Sequence, residues 1–380
     1  MRAIVSVTND LTTDQRVDRT CNTLVKLGYD VLLVGRKRKY SLPLLHRNYR
    51  MRRMQLLFNK GPLFYAEYNI RLFLFLLFKR KDMLVSNDLD TLPANYFFSM
   101  IHLSKSRRCL LHDCHEYFRG VPELVGRKTT TRIWKGIEDF IFPKLTCVVA
   151  VNHSVAELYH QEYGVPVTVI RNVPYRRTGT IPIDKQSLGI KPDQRVILYQ
   201  GAVNVERGIE ETILAMRYIR SNAILVIAGI GDRYKLLTKY PREQGVEGKV
   251  IFLGQIPFQK LHSYTPIADI GISLEKDVSL NYHYSLPNKF LDYIQAGVPV
   301  LISPFPEMKT IVDHYFIGEI IENHDPKHIA EKIDTMLMDC NRYDMYKENL
   351  RLAADELCWE NEEEKLIRVI ANQGTLSTPD

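Results

Sequence analysis

No apolar run in this 380-residue chain approaches the ~20 residues that a membrane-spanning helix requires, and Leu72–Phe78, with Arg71 beside it, is far too short. No secretory leader is expected either, since Ala3–Val7 is too brief for an apolar leader core and Asn9 and Asp10 follow at once. The six cysteines lack C-x-x-C spacing and fall mainly in apolar runs, which excludes a disulfide framework and a zinc ribbon. Buried thiols in a reducing, cytoplasmic setting are expected instead. No internal repeat is evident. Acidic residues are nearly absent from Arg36 to Lys81, where thirteen Lys and Arg face only Glu67. That local excess of +12 exceeds the +7 of the whole chain, so the basic charge is a patch on an otherwise acidic molecule. Leu42, Leu44, Leu56, Leu57, Phe58 and the Leu72–Phe78 run are interleaved with it. The mixture suits a surface that lies on an anionic membrane, or else a buried helix with solvated basic ends. The aromatic-basic motifs of common RNA modules are absent, so no nucleic-acid partner is expected.

What is present is length enough for two cores, with 45% hydrophobic and 10% aromatic residues. Ala3–Thr8, Asp30–Gly35, Asp82–Ser86, Arg108–His112 and Thr146–Val151 read as short buried strands. Between the first two, Val17, Cys21, Leu24 and Val25 recur at helical spacing. This is the alternation of an α/β parallel sheet. A Pro-, Gly- and basic-rich stretch interrupts it before Arg195. The expected division is an N-terminal domain over 1–172, a linker over 173–194, a second domain over 195–342 and a charged helical tail over 343–380.

Four phosphate-handling features follow one another from Arg195 to Val300. A strand and loop run from Val196 through Gly201 to Arg207 and Gly208, a strand ends at Ala228-Gly229-Ile230-Gly231-Asp232, another turns at Gly254, and Ser285-Leu-Pro-Asn-Lys289 opens a helix that reaches Gly297. A strand that stops at a glycine turn and opens a helix directs backbone N–H groups and the positive helix end at an anion, and Arg207 adds a guanidinium fork. Pro287 suits the first turn of the helix that follows. Asp292, five residues before Gly297, is placed to accept hydrogen bonds from a ribose diol.

In this order the pieces resemble the GT-B-fold glycosyltransferases, and in particular the large family-four group. The resemblance spans nearly the whole chain. Ser6–Asp10, Asp14-Gln-Arg16-Val17, Asn87-Asp88-Leu-Asp90-Thr91-Leu92-Pro93 and Asp113-Cys-His115-Glu116 carry it in the first half, and Ser285–Lys289 with Ala296–Val300 in the second. It implies two Rossmann-like α/β domains with parallel sheets facing across a cleft, the acceptor on the N-terminal side and the tail crossing back to that domain. It implies a retaining hexosyl transfer from a nucleotide-diphosphate sugar to a saccharide or lipid-linked acceptor, in cell-surface polysaccharide or glycolipid synthesis. His115, with Glu116, is the expected catalytic pair. Arg207, Lys289 and Gly201 are expected on the donor diphosphate, and Asp292, Gly229, Gly231, Gln255 and Ile256 on the nucleoside. Asn9, Arg16, Glu123, Glu275, Tyr284, Ser285 and Asn288 are expected near the donor sugar or acceptor.

Two departures from the family pattern matter. The loop from Thr8 to Arg16 contains no glycine, so Asn9 or Arg16 approaches the site in its place, or else Asn9 and Asp10 simply turn the chain and Arg16 sits on a solvated helix face. Many members also carry two glutamates eight residues apart, where this chain has Tyr284 and Asp292. Asp88-Leu-Asp90 resembles a metal-binding triplet, and His112 to Glu116 a zinc cluster. Adjacent residues at a strand end face opposite ways, however, and Asp90 fits the N-cap of the next helix. No essential metal or cofactor is expected. A nucleotide-sugar epimerase of similar architecture and, less favoured, a nucleic-acid-binding protein that uses the basic patch remain as alternatives.

Overall fold

A computed structural model describes residues 1–12, 14–39, 41–101, 109–120, 127–177 and 179–375. The chain forms two compact units, one of residues 1–172 with 362–380 and the other of residues 173–361.

In the first unit the described residues form a parallel sheet of seven strands: β1 (Arg2–Ser6), β2 (Asp30–Arg36), β3 (Arg50–Met54), β4 (Met83–Asn87), β5 (Cys109–Cys114), β6 (Val148–Ala150) and β7 (Val167–Val169). Their order is β3-β2-β1-β4-β5-β6-β7, so the winding reverses between β1 and β4. Strands covered on both faces must be apolar throughout, and β1 and β4 bury nearly every side chain. The five strands expected in this half all form, with ends displaced by a residue or two. β3 was not expected, because its sequence Arg-Met-Arg-Arg-Met reads as part of the basic patch, yet it pairs with β2 at the sheet edge.

The helix Gln15–Lys26 starts where the Asp14 carboxylate accepts the Val17 N–H (3.1 Å) and buries Val17, Cys21 and Leu24. The helix Gly61–Leu77 contains the apolar run and buries only one side of it. Phe64, Tyr68, Leu72 and Leu76, spaced four apart, are buried against Ile4, Val34, Leu84 and Phe98, while Leu63, Ile70 and Leu74, with Phe78 just beyond, are exposed. Residues from Glu362 onward group with this unit: Glu363 accepts from the Thr23 hydroxyl (2.7 Å) and pairs with Lys26 (2.8 Å).

The second unit repeats the plan with β8 (Arg195–Gln200), β9 (Ala223–Ala228), β10 (Val250–Gly254), β11 (Ile270–Ser273), β12 (Val300–Ile302) and β13 (Gly318–Ile320). Its order, β10-β9-β8-β11-β12-β13, reverses between β8 and β11. Residues 173–194 are part of this unit.

Candidate functional site

In an open parallel sheet, ligands bind beyond the carboxyl ends of the strands, at the point where strand order reverses. In the second unit that point brings together the loop after β8 and the segment after β11. Glu275, two residues past β11 and fully buried, accepts a 2.6 Å ion pair from Lys289, a 2.8 Å hydrogen bond from Ser273 and a longer 3.5 Å contact from Arg207. Burial alone pushes the Glu275 carboxyl up. The charges of Lys289 and Arg207, with the hydrogen bonds from Lys289 and Ser273, outweigh it and hold the group below its ordinary value. Lys289 also lies 4.1 Å from the Tyr199 ring centroid and Arg207 lies 4.7 Å over Tyr282. Gly208 makes this approach possible: its φ is +70°, and a Cβ there would collide with the Leu274 carbonyl.

Arg207 and Lys289 are thus brought together as expected of a diphosphate site, whereas Glu275 is placed differently. It was expected near a sugar, and it is instead the buried counterion that fixes both cations. Gly201 was expected on the diphosphate and Gly229 on the nucleoside, and their amides donate within the sheet, to Ala228 (2.9 Å) and Gly254 (2.8 Å). The loop after β8 turns at Val205 and Glu206 and brings Arg207 and Gly208 to the start of the next helix. Asp292 is buried, and its carboxylate is not open toward a ribose. Arg177 pairs with one oxygen and Gln200 donates to the other (3.2 Å). Arg177 was missed because its segment reads as linker. Gly231 follows β9, and exposed Gln255 and half-buried Ile256 follow the edge strand β10, away from the reversal point. Ser285 donates to Tyr282 (2.8 Å), Tyr284 stacks edge-on with His283, and Asn288 is exposed at the start of the helix Asn288–Gln295.

The reversal point of the first unit gathers residues from the ends of β1, β4 and β5. Asn87 and Asp113 are register partners, so the loops that follow them adjoin. Asp88 sits at φ 56°, a left-handed conformation uncommon outside glycine, and accepts the His115 backbone N–H (2.9 Å). The His115 ring faces Asn87 Oδ1 at 3.0 Å and the carboxylates of Asp88 and Asp113 at 3.6 Å each. Burial on its own would lower the His115 pKa, but Asp88 and Asp113 push it up to about 10, which favours the protonated ring. Burial pushes Asp88 up, assisted by Glu116 and Asp90 and opposed by His115.

Arg16 lies on neither a solvated face nor an open site. It is 3% exposed, binds Asp113 through two nitrogens (3.0 and 2.6 Å) and donates to the Ile170 carbonyl (2.6 Å). That clamp overcomes burial and holds the Asp113 carboxyl far below the usual range. Asp90 does not cap the following helix, whose N-cap is Thr91. It accepts the Thr8 hydroxyl, and burial raises it to about 6. The two carboxylates of the Asp88/Asp90 triplet therefore address different partners. His112, engaged with the Ser86 carbonyl, is held down to about 4, chiefly by burial. Asn9 and Glu116 line a common cavity with Asp90. Glu123 lies outside the described residues. The glycine missing from the loop after β1 has a counterpart across the sheet. At Gly35 a Cβ would meet the Asn9 carbonyl and the Leu11 side chain, so the loop rests on β2.

Comparison with known proteins bears on the family and the fold. Residues 14–173 match the family model Glycosyltransferase Family 4, and residues 180–353 match Glycosyl transferases group 1. An uncharacterised glycosyltransferase of Methanocaldococcus jannaschii is 30% identical over 164 residues, which span 41% of this chain and 39% of that protein. The structure of sucrose-phosphate synthase from Thermosynechococcus elongatus superposes with a TM-score of 0.80 at 18% identity, covering 99% of this chain and 100% of that one. That of HepE from Anabaena, solved in complex with UDP, gives 0.73 at 14% identity over 98% and 100%. Two parallel-sheet units that carry these two family domains in succession make the chain a member of the GT-B glycosyltransferases, group 1, with a family-four N-terminal domain.

Proposed function

We propose that the protein transfers a hexosyl group, with retention, from a nucleotide-diphosphate sugar to a saccharide or lipid-linked acceptor in the synthesis of a cell-surface polysaccharide or glycolipid. The observation that carries this reading is the Arg207–Lys289–Glu275 cluster at the strand-order reversal of the second unit. Two cations share one buried anion, so a net positive charge is left for a diphosphate. The solved complex of HepE with UDP makes uridine diphosphate sugars the first donors to try.

The His115 imidazolium is a cation held by carboxylates, suited to stabilising negative charge on a departing phosphate or to holding a sugar hydroxyl. In the front-face mechanism implied for a retaining enzyme of this fold, the acceptor oxygen bonds the anomeric carbon as the phosphate oxygen leaves, and the acceptor proton passes to the leaving diphosphate. Arg207 and Lys289 neutralise that group without a divalent ion.

The epimerase reading is not favoured, because both matched domains are those of glycosyltransferases. Incubation with a donor sugar alone should leave it unchanged, and added acceptor should yield a product of the same anomeric configuration by NMR, in the presence of a chelator. Isomerised donor without acceptor, or activity that requires a divalent ion, contradicts the reading.

We also place the enzyme against an anionic membrane through residues 36–81. Among the described residues no helix is long and apolar enough to cross a bilayer. Leu57, Leu63, Ile70, Leu74 and Phe78 are exposed in the same region as Lys37 and Arg52. The surface charge is smaller than the sequence suggests. Arg47, Arg50, Arg53 and Arg71 are paired with carboxylates, and Lys81 is buried on the Leu76 carbonyl.

A further inference from the structure

The first unit contains a cavity of about 760 Å³ between the loop after β1, the start of the helix Gly61–Leu77 and the helix Lys128–Ile141. That volume lies in the range of small-ligand sites, ~300–1,000 Å³. Phe64, Tyr65, Phe118 and Trp134 form an aromatic wall, and half-exposed Ile133 extends it. Arg36, Arg38 and Arg127 also line it, and among the described residues none of the three forms an ion pair. Their neighbours contrast with them: Arg47, Arg50, Arg53 and Arg71 each have a carboxylate partner. The guanidinium of Arg36 lies 4.3 Å over the Phe64 ring, with Nη1 on the Asn59 carbonyl (3.2 Å) and a buried Nε that has no hydrogen-bond partner among the described residues. A buried donor without an acceptor is costly unless a ligand supplies one. Asn9, Asp90 and Glu116 complete the lining with groups suited to saccharide hydroxyls.

We infer that this cavity holds the acceptor and selects an amphiphilic phosphate, a saccharide joined through a phosphate or diphosphate to a lipid chain. The three guanidiniums, which outnumber the two carboxylates of the lining, take the phosphoryl oxygens, the aromatic wall takes the first part of the lipid or the sugar face, and Asp90 and Glu116 face the saccharide. The inference rests on the transferase reading, and the test separates the two.

Binding of farnesyl diphosphate, farnesol and inorganic pyrophosphate is measured by calorimetry in full-length Arg207→Ala protein, where the donor-side diphosphate site is weakened. Farnesyl diphosphate should bind at least roughly tenfold more tightly than either of the other two, since each lacks half of the recognition. Adding Arg38→Gln and Arg127→Gln, both at exposed positions, should weaken farnesyl diphosphate by about tenfold or more. The same two changes in otherwise wild-type protein should leave nucleotide-sugar binding intact. Equal affinity for farnesol, pyrophosphate bound as tightly as farnesyl diphosphate, or no loss in the Arg38→Gln/Arg127→Gln protein would overturn the inference. Wild-type protein that binds no nucleotide sugar would strike the transferase reading and still leave these comparisons readable.

Discussion

Glu275 sets the net charge of the Arg207–Lys289 cluster in the second unit. Lys289 is 8% exposed and would be a poorly solvated cation without it, and Arg207, 23% exposed, would lose its anchor. Removing one member of a buried ion pair strands the other, so Glu275→Ala should cost about 3–5 kcal/mol of stability, read by urea unfolding. Arg207→Ala should barely affect stability but weaken donor binding by on the order of 1.5–3 kcal/mol, read by calorimetry. Unchanged donor affinity would remove Arg207 from the site. In the first unit, the His115 pKa is raised from about 6.5 to about 10. The protonated ring therefore stabilises the fold fully below its unfolded pKa, and that contribution is lost as pH rises through about 10. Wild-type protein should lose stability relative to His115→Gln between neutral pH and about 10. Asp88→Asn removes the carboxylate that raises the ring most, so the NMR titration midpoint of His115 should move down toward neutrality. An unmoved midpoint would show that Asp88 does not hold the charge.

The elements explain why these residues meet. In each unit the sheet reverses beside its first strand, at β1/β4 and at β8/β11, and the loops after those strands supply both clusters. Strands buried on both faces read as uninterrupted apolar runs, so most of the sheet was legible in the sequence. β3 was not, since an edge strand tolerates long basic side chains, and β7 has only three residues. Among the site residues, Arg207 and Lys289 were legible because glycine and proline mark their loops. The pairing of Glu275 with Lys289 and of Arg16 with Asp113 joins residues far apart in sequence and leaves no periodic signal. The helix Gly61–Leu77 shows the limit of pattern reading: its apolar run serves the core on one side and leaves Leu74 and, just beyond it, Phe78 exposed on the other. Leu74→Glu with Phe78→Glu should therefore leave the melting temperature nearly unchanged and reduce sedimentation with anionic liposomes, as should raised salt. Wild-type protein that ignores such liposomes at low salt would assign the exposed face another purpose.

At the scale of the whole molecule, the chain is two units of one architecture, each with a charged cluster at its own reversal point, and the two family domains coincide with them in order. The clusters differ in chemistry. The second unit presents two cations around a buried carboxylate, and the first holds an imidazolium among carboxylates beside an aromatic cavity. In the proposed reaction this contrast divides the work: the second unit would take the donor diphosphate and the first would meet the sugar and the acceptor. The most direct test of that division is thermal unfolding of the full chain in the presence of a panel of nucleotide-diphosphate sugars, with wild-type protein and Arg207→Ala side by side. A ligand that binds only the folded state adds about 2.7 kcal/mol of stability at a hundred times its Kd. At least one sugar nucleotide should stabilise wild-type protein on that scale, and Arg207→Ala should need a roughly tenfold or higher concentration for the same shift. A panel that leaves the wild-type transition unmoved, or moves both proteins equally, would contradict a donor site at Arg207, Lys289 and Glu275.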